Sequence, residues 1–127
     1  LVKACGADQF FDLLGRTSLD LSNTPLVKLP EAIGELSALE FLALEHTRLK
    51  ALPESLGLLK SMQILRLPYN EVSALPEDFG NLAALQTLHL QFNQLKGLPE
   101  SFGRLATLDT LYLQFNQLSG LPESMGQ

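Results

Sequence analysis

Hydrophobic residues along this chain recur in one order, Leu-x-x-Leu-x-Leu-x-x-Asn-x-Leu. It appears as Leu85, Leu88, Leu90, Asn93, Leu95 and again as Leu108, Leu111, Leu113, Asn116, Leu118. The Leu-x-Leu centre has the two-residue alternation of a strand, every second side chain turned inward. A Leu-Pro-Glu triplet follows each tract, at Leu29-Pro30-Glu31, Leu52-Pro53-Glu54, Leu75-Pro76-Glu77, Leu98-Pro99-Glu100 and Leu121-Pro122-Glu123. Each triplet leads to a glycine: Gly34, Gly57, Gly80, Gly103 and Gly126. The interval is 23 residues throughout. Such a period marks a solenoid, in which a unit buries its apolar side only against its neighbours. The predicted fold is α/β. Stacked coils bring the short strands side by side in one direction, giving a parallel sheet on one face and short helical or 3₁₀ turns on the other.

The residues between the leucines have separate tasks. Proline suits the first helical position, where its missing N–H has no partner to lose. The glutamate after it suits the positive end of a short helix or 3₁₀ turn. The glycine fits a helix end that needs positive φ. Ile33, Leu56, Phe79, Phe102 and Met125 precede that glycine and should plug the side of the core opposite the sheet. Asn70, Asn93 and Asn116 follow the strands, where the backbone turns inward and leaves amides and carbonyls unpaired. An Asn side chain carries donors and an acceptor and can link one coil to the next. Thr24 and Thr47 stand at the equivalent places of the first two units, which should be held less firmly. Each buried Leu contributes about 1.5–3 kcal/mol before ordering entropy is offset.

The pattern reads as one domain over residues 1–127, with a cap over 1–16 and about five units over 17–127, the last incomplete. Asp8 to Leu14, ending at Gly15, reads as a short amphipathic capping helix over the first coil. No equivalent cover follows the last unit, and the chain lacks an initial Met. The expectation is a fragment of a longer protein, or self-association through the uncovered end. The third unit is irregular. Pro68 stands at the end of its strand, which should be short or bent there, and Val72 replaces the usual Leu.

Composition narrows the function. About a quarter of the residues are Leu, far above ordinary usage. A net charge of −5 argues against nucleic acid, which calls for a basic stripe. No apolar run approaches the roughly 18 residues of a membrane span, and no charged-then-apolar leader is seen. Cys5 is the single cysteine, so no internal disulfide can form, and a reducing cytoplasmic interior is expected. Its only basic neighbour is Lys3, and it reads as an ordinary thiol. His46 and His89 are the only histidines and lie in different columns two coils apart. With no paired nucleophile, glycine-rich phosphate loop or Cys/His metal spacing, neither catalysis, metal nor cofactor is expected.

Strand alternation places the outward positions of successive units in columns. These are Phe41, Ile64, Thr87, Thr110; then Ala43, Arg66, His89, Tyr112; then Glu45, Pro68, Gln91, Gln114. Beyond them come His46, Tyr69, Phe92, Phe115 and, last, Arg48, Glu71, Gln94, Gln117. The candidate partner-binding residues are His46, Arg48, Arg66, Tyr69, Glu71, His89, Gln91, Phe92, Gln94, Tyr112, Gln114, Phe115 and Gln117. The aromatic column crosses strands about 4.8 Å apart. Exposed aromatics beside Arg and Gln are the makings of a binding hot spot. The alternative is that the rings stack on one another and stiffen the sheet.

From about Leu13 onward the residues resemble the leucine-rich repeat family, in its 23-residue class built on Leu-Pro-x-x-φ-Gly-x-Leu. That class occurs in intracellular Ras-pathway scaffold proteins, plant intracellular repeat proteins and many bacterial proteins and effectors. Arg16 at a usual Leu, the two Thr substitutions and the missing final cap depart from it. The resemblance implies a curved solenoid whose concave sheet face binds other proteins. Some relatives join the repeats to a GTPase, kinase or ubiquitin-ligase domain, so the chain reads as a non-enzymatic interaction module or as the recognition arm of such an enzyme or effector.

Overall fold

The computed structural model describes residues 15–120. The expected capping helix over Asp8 to Leu14, Cys5, the fifth Leu-Pro-Glu triplet, Met125 and Gly126 lie outside the described residues. Five strands of three residues each, β1 (Ser18–Asp20), β2 (Phe41–Ala43), β3 (Ile64–Arg66), β4 (Thr87–His89) and β5 (Thr110–Tyr112), form one parallel sheet. Strand order follows chain order, so each coil rests on the one before it. Coils 1–5 are numbered here by their strands.

The register is in step with the 23-residue interval: Leu19, Leu42, Leu65, Leu88 and Leu111 pair as one row. This central position turns inward in every strand, and Leu42, Leu65 and Leu88 are wholly buried. Hydrogen bonds continue past the strands. Leu21 donates to Ala43 O (2.9 Å), Leu44 to Arg66 O (2.8 Å), Leu67 to His89 O (2.8 Å) and Leu90 to Tyr112 O (2.9 Å). Short strands suffice because the repeat, not strand length, supplies the buried area.

The opposite side carries 3₁₀ turns at Glu31–Glu35, Glu54–Leu58, Phe79–Asn81 and Glu100–Arg104, stacked in sequence order. Ile33, Leu56, Phe79 and Phe102 fill the core from this side, as the pattern predicts. Phe79 and Phe102 stack with centroids 6.0 Å apart.

Three local expectations need correction. Pro30, Pro53 and Pro99 precede the turns in extended conformation, with ψ near 154°, and so occupy the cap and not the first helical position. Their carbonyls accept the first bond of the turn, Pro30 O from Ile33 N at 3.1 Å. The glutamate then heads the turn in three coils, but the third turn starts only at Phe79, leaving Glu77 before it.

Gly34, Gly57 and Gly80 lie inside the turns, and none of the three has positive φ. Their role is close approach. A Cβ on Gly34 would stand 2.6 Å from Ser55 O, on Gly57 2.8 Å from Asp78 O, and on Gly80 it would collide with Ser101 O. Only a hydrogen at that position lets the next coil's backbone settle down.

Pro68 does not shorten its strand, because every strand has already ended two residues earlier. Leu67 and Tyr69 donate to His89 O and Gln91 O (2.8 and 3.2 Å), and the ladder runs past the proline. Val72 is fully buried in the place of the usual Leu.

The asparagine column does what its chemistry suggests. Asn93 Nδ2 donates to Leu67 O of the previous coil (2.9 Å) and Leu90 O of its own (3.1 Å), while Oδ1 accepts from Val72 N (3.1 Å). Asn116 repeats this with Leu90 O, Leu113 O and Leu95 N at 2.8, 3.0 and 2.9 Å. Asn70 accepts from Thr47 N and Leu49 N (2.9 and 3.1 Å) and donates to Leu44 O and Leu67 O (2.8 and 3.1 Å). An unpaired buried amide or carbonyl is costly, so each Asn fastens two coils at once.

Candidate functional site

The turn after each strand must redirect the chain within a few residues. It does so through a left-handed residue at one fixed place: Asn23 (φ 64°), His46 (54°), Tyr69 (60°), Phe92 (59°) and Phe115 (61°). Asn tolerates this region; a ring-bearing residue enters it at a cost of roughly 1–2 kcal/mol. The compensation is visible. His46 stacks on Tyr69 (4.5 Å, 8°), Tyr69 on Phe92 (4.6 Å, 9°) and Phe92 on Phe115 (4.5 Å, 8°). The column is thus a continuous ring ladder across four coils, worth about 0.5–1.5 kcal/mol per contact.

The stack does not remove the rings from solvent. Phe92 is 37% exposed, Tyr69 45% and Phe115 69%. The rings therefore cover one another's faces while their edges stay exposed.

Beside the ladder, Arg66 stands between Glu45 and His89. Its Nε lies 2.6 Å from Glu45 Oε1, with a second guanidinium nitrogen on the same oxygen, and its Nη1 lies 3.4 Å from His89 Nε2. Burial, then the Arg66 charge, pushes the His89 pKa down, while Glu45 opposes them weakly. A guanidinium can only donate, so neutral His89 accepts at Nε2 and carries its proton on Nδ1. His89 also stacks on Tyr112 (4.6 Å, 17°). His89 Nδ1 and Gln91 Oε1 are enclosed without a hydrogen-bond partner.

Parallel register places the predicted residues on this one face and its adjoining turns. His46, Arg48, Gln94, Gln114 and Gln117 are exposed, and Arg66, Glu71, His89 and Gln91 half-buried. Tyr112 is 39% exposed. Two members of the outward columns, Ala43 and Pro68, are buried instead. Glu45, which strand alternation puts on the face but outside the candidate set, joins Arg66 through its ion pair. Lys50 was missed too. With Val27, Arg48 and Glu71 it lines a shallow depression at the face's edge. Among the described residues no helix is long and apolar enough to cross a membrane.

Two family models agree with this architecture. One leucine-rich repeat model matches residues 42–95 and 60–118, and a second matches residues 17–36. Among solved structures, a leucine-rich repeat protein of Leptospira interrogans is 35% identical, covering 94% of this chain and 30% of its own, with a TM-score of 0.86. A plant peptide hormone receptor, RGFR1, in complex with RGF2, is 31% identical over 93% of this chain and 20% of its own, TM-score 0.82. The leucine-rich repeat domain of the type III effector XopL is 29% identical over 93% of this chain and 43% of its own, TM-score 0.84. The chain thus spans less than half the length of each of these structures. No curated protein matches it by sequence. Leucine-rich repeats typically mediate protein–protein interaction and are generally non-catalytic. On the stacked coils, the asparagine column and these matches, the chain belongs to the leucine-rich repeat family.

Proposed function

We propose that this chain is a non-enzymatic interaction module that holds a protein partner on its concave sheet face. The observation that carries the reading is the ring ladder, whose edges stay exposed between flanking glutamines although its faces are satisfied. Exposed aromatics with adaptable polar neighbours are typical of binding hot spots, and a rigid face loses little entropy on binding. Support also comes from the similar receptor solved with a peptide hormone. The module works inside a cell, or inside a host cell when delivered as an effector; the single Cys5 supports a reducing setting. As a module it is one domain, residues 1–127.

A second reading makes it the recognition arm of a larger enzyme or effector, supported by the fraction of each similar chain that it spans. Both readings place the partner on the same face. Partner capture with the intact chain and with Gln94→Glu plus Gln117→Glu tests them, since both side chains are exposed and the substitutions should not alter melting. Loss of the captured partner is expected. Unchanged capture would move the binding surface elsewhere.

A further inference from the structure

We infer that coils 4 and 5 form a patch with no charge in its central columns that takes an extended, uncharged peptide segment, through the glutamines flanking the exposed edges of Phe92 and Phe115. This rests on the sheet face being the protein-binding surface. The first observation is how charge is divided along that face. Coils 1–3 carry Asp20, Glu45, Arg48, Arg66 and Glu71 there. In the same columns coils 4 and 5 carry Thr87, His89, Gln91, Phe92, Gln94 and then Thr110, Tyr112, Gln114, Phe115, Gln117, with no ionised side chain; Lys96 and Asp109 stand outside these columns, at the borders of the patch. The tetrapeptide Gln-Phe-Asn-Gln stands twice, at 91–94 and 114–117, its Asn turned inward and its other three side chains on the face.

Such a surface selects against charge. A Lys or Asp pressed onto its centre would shed its hydration and find no counter-ion among these side chains, neighbouring Arg66 being already paired with Glu45, while the glutamine amides offer neutral donors and acceptors. The ladder adds to this selection. Interior ring faces are already covered by their neighbours at 4.5–4.6 Å, so among the described residues a cation finds only the outer faces of the last rings, Phe115 and Tyr112. Exposed ring edges carry the positive side of the aromatic quadrupole and suit carbonyl oxygens. An extended backbone presents such oxygens at regular intervals.

A third observation points to the same ligand chemistry. His89 Nδ1, the protonated nitrogen, and Gln91 Oε1 are a donor and an acceptor left without partners on the floor of the patch. Buried polar atoms ordinarily find partners. A peptide group supplies one carbonyl and one N–H, the complement of this pair, and the broad terminal torsion of Gln91 leaves its Oε1 free to turn outward.

The test is selection of random displayed peptides on the intact chain, followed by synthesis of the enriched sequences. Expected are contact segments without Asp, Glu, Lys or Arg, whose Kd changes less than about twofold between about 0.05 and 0.5 M salt. Gln94→Lys with Gln117→Lys should weaken them at least about tenfold with unchanged melting, and Arg48→Glu should not, since a charge in the patch is left uncompensated. A charged consensus, a steep salt dependence, or sensitivity to Arg48→Glu alone would overturn the inference while leaving the sheet face as the binding surface. Peptides indifferent to every face substitution would overturn both. Recovery of no peptide counts against this inference alone, because partner capture tests the broader reading separately.

Discussion

Coils 3–5 and coils 1–2 follow the same backbone path but hold it by different means. In coils 3–5 an asparagine reaches back to the preceding coil, and each inward turn uses a single left-handed residue. In coil 2, Thr47 Oγ1 lies 2.9 Å from Leu44 O of its own coil and 2.9 Å from Asn70 Oδ1, and its one proton cannot serve both. No side chain at this place in coil 2 binds back to coil 1. The junction relies instead on Ser22 Oγ, which accepts from Glu45 N at 3.1 Å, and on Leu26 and Val27 N–H groups donating to Thr47 O. These two coils also carry an additional left-handed residue each, Val27 (φ 58°) and Arg48 (φ 62°). Pro25 occupies the place in coil 1 that Arg48 holds in coil 2, and a proline's fixed negative φ moves the left-handed residue on to Val27. The difference teaches that one amide side chain can replace local backbone strain.

The largest effect should come from removing that amide where the two regimes meet. Asn70→Ala leaves Thr47 N, Leu49 N, Leu44 O and Leu67 O to find new partners in a buried setting. At about 1–3 kcal/mol for each group left unsatisfied, and partial relaxation, the cost should be about 3 kcal/mol or more. Thr47→Ala removes one hydroxyl bond and should cost about 1 kcal/mol. Urea denaturation of the two variants measures both. Equal losses would break the comparison.

The ring ladder divides along the same boundary. Phe92 stacks on Tyr69 and Phe115, whereas His46, at the ladder's end, stacks on Tyr69 among the described rings. Phe92→Ala should therefore cost about 2 kcal/mol and His46→Ala less than about 1 kcal/mol, two stacking contacts against one. Thermal melts that rank them in the opposite order would show that the stacking does not set the local stability.

How much of this was legible follows from what each residue can do in only one way. The 23-residue interval fixed the coil, the strand row and the inward leucines, because a side chain that must be buried leaves no choice of face. The Asn column was legible for the same reason: few side chains can both accept from an amide and donate to a carbonyl. Glycine has two properties, free φ and no Cβ, and the sequence does not say which one is used; at Gly80 it is the second. The aromatic column could be placed on the face. Its left-handed backbone could not be foreseen, since rings are rare there and the stacking that compensates appears only once coils are superposed. The Glu45–Arg66–His89 line was hidden because it runs across three coils and two columns.

The strain assigned to coil 2 can be isolated within one column. Arg48 and Gln94 occupy the same place two coils apart, but only Arg48 is left-handed. Arg48→Gly should stabilise the protein by about 1 kcal/mol, because glycine enters this region freely. Gln94→Gly should lower stability by about 0.5 kcal/mol through unfolded-state entropy. Opposite signs in denaturant midpoints sharpen the comparison. Like signs would remove backbone strain from the account of coils 1–2.

The smallest effect concerns the pH dependence of coil 4. His89 has a lowered pKa in the folded state because burial, and then the Arg66 charge, disfavour its protonated form; the Glu45 carboxylate is the opposing group and Tyr112 the stacking neighbour. The unfolded chain therefore takes up a proton on this side chain more readily than the folded one. Its contribution to stability is full above the ordinary histidine value, near 6.5, and is lost as pH falls through that value towards the folded one. The melting temperature should decline slightly below pH 6.5, and His89→Gln, which keeps a polar side chain on the face but cannot titrate, should flatten that slope. A slope unchanged in His89→Gln would assign the dependence to the carboxylates. A slope of the opposite sign would mean that protonated His89 gains more from Glu45 than it loses to burial and Arg66 together.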